Sequence, residues 1–233
     1  MLGFYEEVSD PDYLTEIDNR RRHADAVLRT IERWHRPGRL LEIGSQVGVL
    51  LRVATDRGWD ASGIEPSRWA VITGRERFGV NLVHGSVEKA EYPTAAFDCI
   101  VMVDVLEHLV NPLTALRQCR PWLAPDGILV LSTVNMGTMT ARMLGTNWPG
   151  YMDMHLSYFT PRSLRQYLSR ASFDWVASRP DSRSFSLGYI SGRLEHNGPL
   201  LRAAARVGRL PLIRNIRVSL RTRDLLLVVA RPT

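Results

Sequence analysis

Apolar residues along this chain keep two rhythms. Over residues 12–35, Leu14, Ile17, Ala24, Val27, Leu28 and Ile31 recur at near-helical spacing, and Pro37-Gly38 ends the run. Beyond it, short aliphatic runs alternate with helical stretches. Residues 40–43 predict a first strand, 47–56 a helix stopped by Gly58, and 60–65 a second strand. Pro66-Ser67 opens a helix that runs to about Phe78, and 80–83 is a short third strand. The run Phe97-Asp98-Cys99-Ile100-Val101-Met102-Val103 is apolar with little alternation, as a strand covered on both faces must be. Asn111-Pro112 supplies an N-cap and a proline for the first helical position, and that helix ends near Leu123, before a Pro125-Asp126-Gly127 turn. Residues 127–134 predict a fifth strand, Thr160-Pro161 caps a helix through Arg170, and 173–178 and 224–230 predict two more strands. Strands alternating with helices specify an α/β fold, a doubly wound, Rossmann-like, mostly parallel sheet with helices on both faces. Residues 181–222 are too many for a plain loop, so a helical insertion with a break at Pro211 is expected there. The division that follows is a helical cap over 1–36, a core over 37–180, the insertion over 181–222 and a final strand over 223–233 that completes the sheet.

At 233 residues the chain has the size of one large domain, or of one domain with an appendage. Its cysteines, Cys99 and Cys119, give no disulfide framework, and Cys99 sits in an apolar run, so a reducing cytoplasm is expected. No signal-peptide h-region or long uninterrupted apolar stretch is seen, so no transmembrane helix is expected. The net charge of +6 rests on arginine, with Lys89 the sole lysine. Residues 193–223 hold eight arginines against one acid, Glu195, and Arg202, Arg206 and Arg209 would share one helix face. A solvated face is the plain reading. Docking of an anionic or carrier-linked acceptor, or peripheral contact with an acidic membrane surface, is the sharper one. Specific nucleic-acid binding is not expected, because the basic residues are not interleaved with stacking aromatics. The oligomeric state is left open.

Chemistry enters with Leu40-Leu41-Glu42-Ile43-Gly44-Ser45-Gln46-Val47-Gly48, followed 21 positions after Gly44 by Glu65. An apolar strand, a glycine turn and a helix start open a nucleotide-binding βαβ unit. Gly44 is read as a place where a ligand approaches the backbone, and Glu65 as a carboxylate that accepts hydrogen bonds from ribose hydroxyls. A nicotinamide fingerprint would need glycine at 46 and 49, where the chain has Gln46 and Val49.

Three further pieces join that loop: Gly63-Ile64-Glu65-Pro66-Ser67; Phe97-Asp98-Cys99-Ile100 with Asp104-Val105-Leu106-Glu107-His108; and Pro125-Asp126-Gly127-Ile128-Leu129. Together they resemble the class I S-adenosylmethionine-dependent methyltransferases, in particular the bacterial small-molecule group, over residues 38–178. The resemblance implies a seven-stranded sheet with an antiparallel last strand and S-adenosylmethionine as cofactor. It implies contacts from Glu42, Gly44, Ser45, Gln46 and Gly48 in the loop, from Glu65 and Pro66 at the ribose, and from Ser86 and Val87 at the adenine. Asp104, Val105 and His108 would border the same pocket. Gln46 stands where the family usually has glycine, and Ser86 where it often has aspartate; Ser86 can still accept one hydrogen bond.

Methyl transfer to a hydroxyl needs an in-line approach, exclusion of water and a base for the released proton. His155, in the aromatic and methionine-rich stretch Trp148-Pro149-Gly150-Tyr151-Met152-Asp153-Met154-His155, is the candidate base, with a packing role as its bland alternative. His108 and Asp104 have structural capping readings beside their cofactor readings. No metal set is read, since His155 and Asp153 alone fall short of three ligands. The sequence therefore points to methylation of a small-molecule acceptor, at oxygen before nitrogen or carbon, on a sugar, a quinol-like ring or another metabolite. A nucleoside-binding protein without catalysis, and a nicotinamide oxidoreductase, are the rival readings.

Overall fold

A computed structural model describes residues 6–7, 9–188, 191, 210, 216–220 and 223–233. The N-terminal amphipathic stretch divides in two. A 3₁₀ turn, Pro11–Glu16, starts at Asp10, whose side chain accepts from the Tyr13 amide. Helix α1 then spans Ile17–Ile31. It buries Ala24, Val27, Leu28 and Ile31, the positions whose spacing predicted it.

The core alternates as expected: β1 (Arg39–Ile43), α2 (Val49–Asp56), β2 (Asp60–Glu65), α3 (Arg68–Phe78), β3 (Asn81–His84), β4 (Phe97–Val103), α4 (Pro112–Trp122) and β5 (Leu123–Val134). Short helix α5 (Met139–Leu144) and α6 (Pro161–Arg170) precede β6 (Phe173–Pro180). Then come β7 (Arg183–Ser186), β8 (Arg217–Leu220) and β9 (Leu225–Pro232). Seven strands form one sheet in the order β3-β2-β1-β4-β5-β9-β6. The pairs among β1 to β5 are parallel, whereas β9 runs antiparallel to both β5 and β6.

Two local readings change. β5 begins at Leu123, because the Pro125-Asp126-Gly127 turn is a bulge inside the strand: Phe97 pairs with Leu123, and Cys99 with Ile128. The two ends of the expected helical insertion are strands, β7 and β8, paired antiparallel in a ribbon of their own. Pro211 and the arginines 202, 206 and 209 lie outside the described residues.

Strand periodicity divides the core into two layers. Leu40, Cys99, Val101, Ile128, Val130, Leu227 and Val229 face α1, α2 and α3, where they meet Leu28, Leu51 and Val71. Leu41, Ile43, Ile100, Met102, Leu129, Leu131, Val228 and Ala230 face α4 and α6, meeting Leu116, Trp122, Leu164 and Leu168. Every central strand is therefore apolar on both faces. The sequence runs on either side of β1 in opposite directions, to β2 and β3 on one edge and to β4 and β5 on the other. The carboxyl ends of β1 and β4 flank that switch point, where ligands bind in such sheets. Among the described residues, no helix is long and apolar enough to cross a membrane.

Candidate functional site

The loop after β1 turns through three left-handed residues: Gly44 at φ +70°, Gln46 at +49° and Gly48 at +74°. The Ser45 hydroxyl donates to the Glu42 carbonyl at 2.9 Å, and the Gly48 amide donates to the Ser45 carbonyl at 2.8 Å. Gln46 thus occupies a backbone position that favours glycine, which gives a physical meaning to the departure noted in the sequence. Its amide is already engaged. It donates to Glu65 Oε2 at 2.9 Å, while the Ser67 amide donates to Glu65 Oε1 at 2.9 Å.

Glu65 is almost fully buried at the end of β2. Burial pushes its carboxyl above the ordinary range, against the opposing effect of the two amides. Each carboxylate oxygen has a second lone pair for a hydroxyl donor. Glu42 lies buried in β1 with Oε2 unpartnered, and burial followed by the nearby Glu65 charge raises its pKa well above normal. A ligand bringing a cationic or hydrogen-bonding group would relieve that arrangement.

Gly44 has a reason other than the expected ligand approach. A Cβ there would come within 2.5 Å of Val105 Cγ2, on the loop that follows β4. Glycine is needed so that these two loops can close on one another, and the left-handed φ adds a second requirement.

On the other side of β2, a cleft of about 480 Å³ opens between the ends of β2 and β3, lined by Ile64, Pro66, Gly85, Ser86 and Tyr92 among others. Ser86 is buried with its hydroxyl unpartnered, and Val87 beside it is buried as well. An apolar slot with one orphaned hydroxyl suits a flat heteroaromatic base. The buried Glu42 oxygen, the Glu65 carboxylate and the cleft with its Ser86 hydroxyl fit the parts of S-adenosylmethionine in order: amino acid, ribose, adenine.

Asp104 has a left-handed backbone at φ +54°, and its carboxylate is engaged within the protein. Its carboxylate takes a two-pronged ion pair from Arg183, with Nη2 to Oδ1 at 2.6 Å. Arg183 also reaches Asp181 Oδ2 at 3.3 Å. Asp181 in turn accepts from His23 Nε2 at 2.9 Å and from the Ser132 hydroxyl at 2.7 Å. No spacing in the sequence linked these residues, which come from α1, β5, β7 and the β4 loop.

The second cluster forms where the Trp148–His155 stretch lies against the 3₁₀ turn Leu106–His108. The amides of Leu156 and Ser157 donate to the Glu107 carbonyl at 2.8 and 3.1 Å. His108 Nδ1 donates to the Met154 carbonyl at 2.9 Å, and His155 Nδ1 donates to the Gly150 carbonyl at 2.9 Å. The two imidazoles meet edge to face with centroids 4.7 Å apart, and His155 also packs 5.9 Å from Tyr158. Burial lowers the pKa of both, and for His155 the neighbouring His108 adds to the effect. With Nδ1 protonated, the His155 lone pair sits on Nε2.

Glu107 is the member of this cluster that sequence reasoning passed over. It is 1% exposed, its Oε2 accepts from the Thr133 hydroxyl at 2.8 Å, and its Oε1 has no partner. Burial, then the Asp104 charge, raises its carboxyl to about 8. A glutamate adjoining a candidate histidine in a tight turn was the available signal. Nearby Met136, Met143, Tyr151, Met154 and Leu156 are exposed, an apolar rim at this end of the sheet.

Comparison with known proteins agrees with this geometry. The methyltransferase-domain family matches residues 15–178. The ubiquinone biosynthesis O-methyltransferase of Cereibacter sphaeroides is 28% identical over 166 residues, which are 64% of this chain and 67% of that protein. The mitochondrial ubiquinone biosynthesis O-methyltransferase of Schizosaccharomyces pombe is 30% identical over 114 residues, 46% of this chain and 41% of that protein. Among solved structures, magnesium protoporphyrin IX methyltransferase from Synechocystis PCC 6803, with bound SAH, superposes with a TM-score of 0.62 at 13% identity, covering 98% of this chain and 91% of that one. The last likeness is one of fold. With its family match, its sheet order and a cradle that suits the cofactor, the chain belongs to the methyltransferase-domain family and is an S-adenosylmethionine-dependent methyltransferase.

Proposed function

We propose that this protein methylates a hydroxyl of a small, largely apolar acceptor, with a quinol-like phenol as the first choice. The observation that carries the reading is Glu65, buried at the end of β2 and fixed by the Gln46 and Ser67 amides beside an apolar cleft. That arrangement supports binding of the cofactor's nucleoside half, with Gly44, Ser45 and Gly48 shaping the turn, and Pro66, Ser86 and Val87 lining the base. Val105 and His108 border its methionine end, Glu42 faces its charged group, and Asp104 holds the loop through Arg183. The exposed rim of Met136, Met143, Tyr151 and Met154 supports an apolar acceptor, as does the quinone-pathway name of the two relatives.

When bound, S-adenosylmethionine would supply an electrophilic methyl carbon, with a neutral thioether as its leaving group. The acceptor's proton goes to His155 Nε2. Burial first, and the neighbouring His108 second, lower the imidazole's pKa and so favour the neutral form, the one able to accept a proton. The Gly150 carbonyl fixes the tautomer by accepting a hydrogen bond from Nδ1–H. We place this work in the cytoplasm, in keeping with the free thiols of Cys99 and Cys119. An anionic or carrier-linked tail on the acceptor, or an acidic membrane surface, is the proposed counterpart of the arginines at 193–223.

Calorimetry with S-adenosylhomocysteine and with NAD⁺, then turnover on a panel of catechols, quinols and sugars, tests the reading. The expected result is binding of the first ligand alone and methylation of a phenolic hydroxyl. His155→Ala should lower turnover about 10²–10⁴-fold with S-adenosylhomocysteine affinity unchanged. Cofactor binding without turnover on any acceptor would favour a non-catalytic nucleoside-binding role.

A further inference from the structure

We propose that Ser86 sets how the site selects the base of its cofactor, and that it selects loosely: adenosyl cofactors alkylated on the exocyclic amine are accepted nearly as well as the unsubstituted one. The inference rests on the reading of the cleft between β2 and β3 as the adenine end of the site. It deepens that reading by naming the residue that governs base selectivity and the class of cofactor admitted.

Three observations support it. Ser86 precedes a 3₁₀ turn, Val87–Lys89, in the position of an N-cap, with an extended backbone at φ −128° and ψ 157°. A serine in that position ordinarily turns its hydroxyl back to an amide of the turn, and this one makes no such bond. The hydroxyl is buried, has no partner among the described residues and belongs to a residue that lines the cleft. A buried hydroxyl left unpaired is costly, and a polar ligand group in the cleft would satisfy it. The walls beside it are apolar. Ile64 and Pro66 line the cleft, and the Tyr92 ring stands edge to face against both Phe97 and Trp122, with centroids 5.0 Å apart in each pair. Such walls hold a flat ring by contact area and do not read the hydrogen-bonding pattern along its edge. Finally, the cleft of about 480 Å³ also reaches Lys89 and Glu91, which are exposed and free to swing aside from an added alkyl group.

The chemistry of the hydroxyl decides the selectivity. It is uncharged, turns about one bond and accepts a single amine hydrogen without fixing the rest of the amine. The net worth of a neutral hydrogen bond corresponds to a change in affinity of only about 2- to 12-fold. A carboxylate in the same place would be worth about 12- to 160-fold, and losing its partner would strand a buried charge. Serine is also smaller than any carboxylate side chain, so it leaves room at the amine. One alkyl group on that nitrogen keeps an N–H for Ser86; two remove it at the modest cost of one neutral bond.

The test is calorimetric titration of the full chain with S-adenosylhomocysteine and with its derivatives carrying one or two methyl groups on the exocyclic amine. Wild type is expected to bind all three within about 12-fold of one another. Ser86→Ala should weaken S-adenosylhomocysteine about 2- to 12-fold and leave the dimethyl derivative nearly unchanged, since that ligand has no amine hydrogen to give. Ser86→Asp puts a fixed charge at the same place and should favour S-adenosylhomocysteine over the dimethyl derivative by about 12-fold or more. Should that variant fail to fold, the wild-type and alanine titrations decide alone. Glu65→Ala, acting at the ribose, should weaken all three ligands by the same factor. Rejection of the dimethyl derivative by wild type beyond about 100-fold overturns the proposal, and so does equal S-adenosylhomocysteine affinity in Ser86→Ala and wild type. Failure of wild type to bind S-adenosylhomocysteine at all would overturn the adenosyl reading of the cleft, and the selectivity with it.

Discussion

Glu65 has a structural task and a proposed binding task, both resting on one carboxylate. Its oxygens hold the amides of Gln46 and Ser67, and in the proposed site their remaining lone pairs face the cofactor ribose. Glu65→Ala should weaken S-adenosylhomocysteine binding by about 1.5–3 kcal/mol, the range for hydrogen bonds to a charged group. A folded variant that titrates like wild type would remove Glu65 from the site. Glu42 gives a pH prediction. Its folded pKa is raised, by burial first and by Glu65 second, so the folded state holds its proton more tightly than the unfolded state. The stabilisation is therefore full below the unfolded value of about 4.3 and is lost as pH climbs through the raised folded value. Glu42→Gln, permanently neutral, should unfold at higher denaturant than wild type at pH 7 and at nearly equal denaturant at pH 4. A constant difference between the two pH values would show that Glu42 does not titrate in this way. Gly44 marks a limit of sequence reading at this scale. The glycine was legible, but the side chain that a Cβ there would push against belongs to Val105, 61 positions away in sequence.

Among the elements, those whose signals are local were legible. Ser67, Asn111 and Thr160 each cap a helix by accepting from a backbone amide, and α6 spans the predicted residues with Thr160 and Ser163 in a reciprocal capping box. Thr160→Ala should cost about 1 kcal/mol, or roughly 2–4 °C in Tm for a chain of this size. A smaller shift would mean that the packing of Leu164 and Leu168 alone holds the helix start. What was illegible depends on partners distant in sequence. Leu123 joins β5 only because Phe97 lies beside it, and β7 joins a ribbon only because β8 returns 31 or more residues later. An isolated run such as Arg183–Ser186 has neither length nor alternation enough to announce a strand. The same reason separates the two ends of the site. The candidate cofactor cradle comes from contiguous motifs, which a sequence presents side by side. The Glu107–His108–His155 cluster needs a loop folded back over 46 residues and was read only in part.

For the whole molecule, the buried Asp181 ties the N-terminal cap to the catalytic end. It joins His23 of α1, Ser132 of β5 and Arg183 of β7, and Arg183 passes the link to Asp104 on the loop that packs against Gly44. Burial alone would raise the Asp181 pKa, but the hydrogen bond and charge of His23, with the charge of Arg183, outweigh it and hold the carboxyl well below the usual range. A depressed folded pKa contributes stability above the unfolded value of about 3.9 and loses it as pH falls through the folded one. Asp181→Asn keeps the shape yet leaves the partly buried Arg183 with one carboxylate in place of two. Breaking such a pair costs about 3–5 kcal/mol when no compensation follows, and here Asp104 remains, so the lower end is expected at pH 7. The variant should also lose stability less steeply than wild type below pH 4, because the titrating group is gone. If the network positions the Asp104 loop, S-adenosylhomocysteine affinity should fall together with stability. Denaturant unfolding at pH 7 and pH 3.5, with calorimetric titration at pH 7, separates the cases. Lost stability with unchanged affinity would mean that the cap is fastened to the sheet through Asp181 while the cofactor loop is held by Arg183 and Asp104 alone.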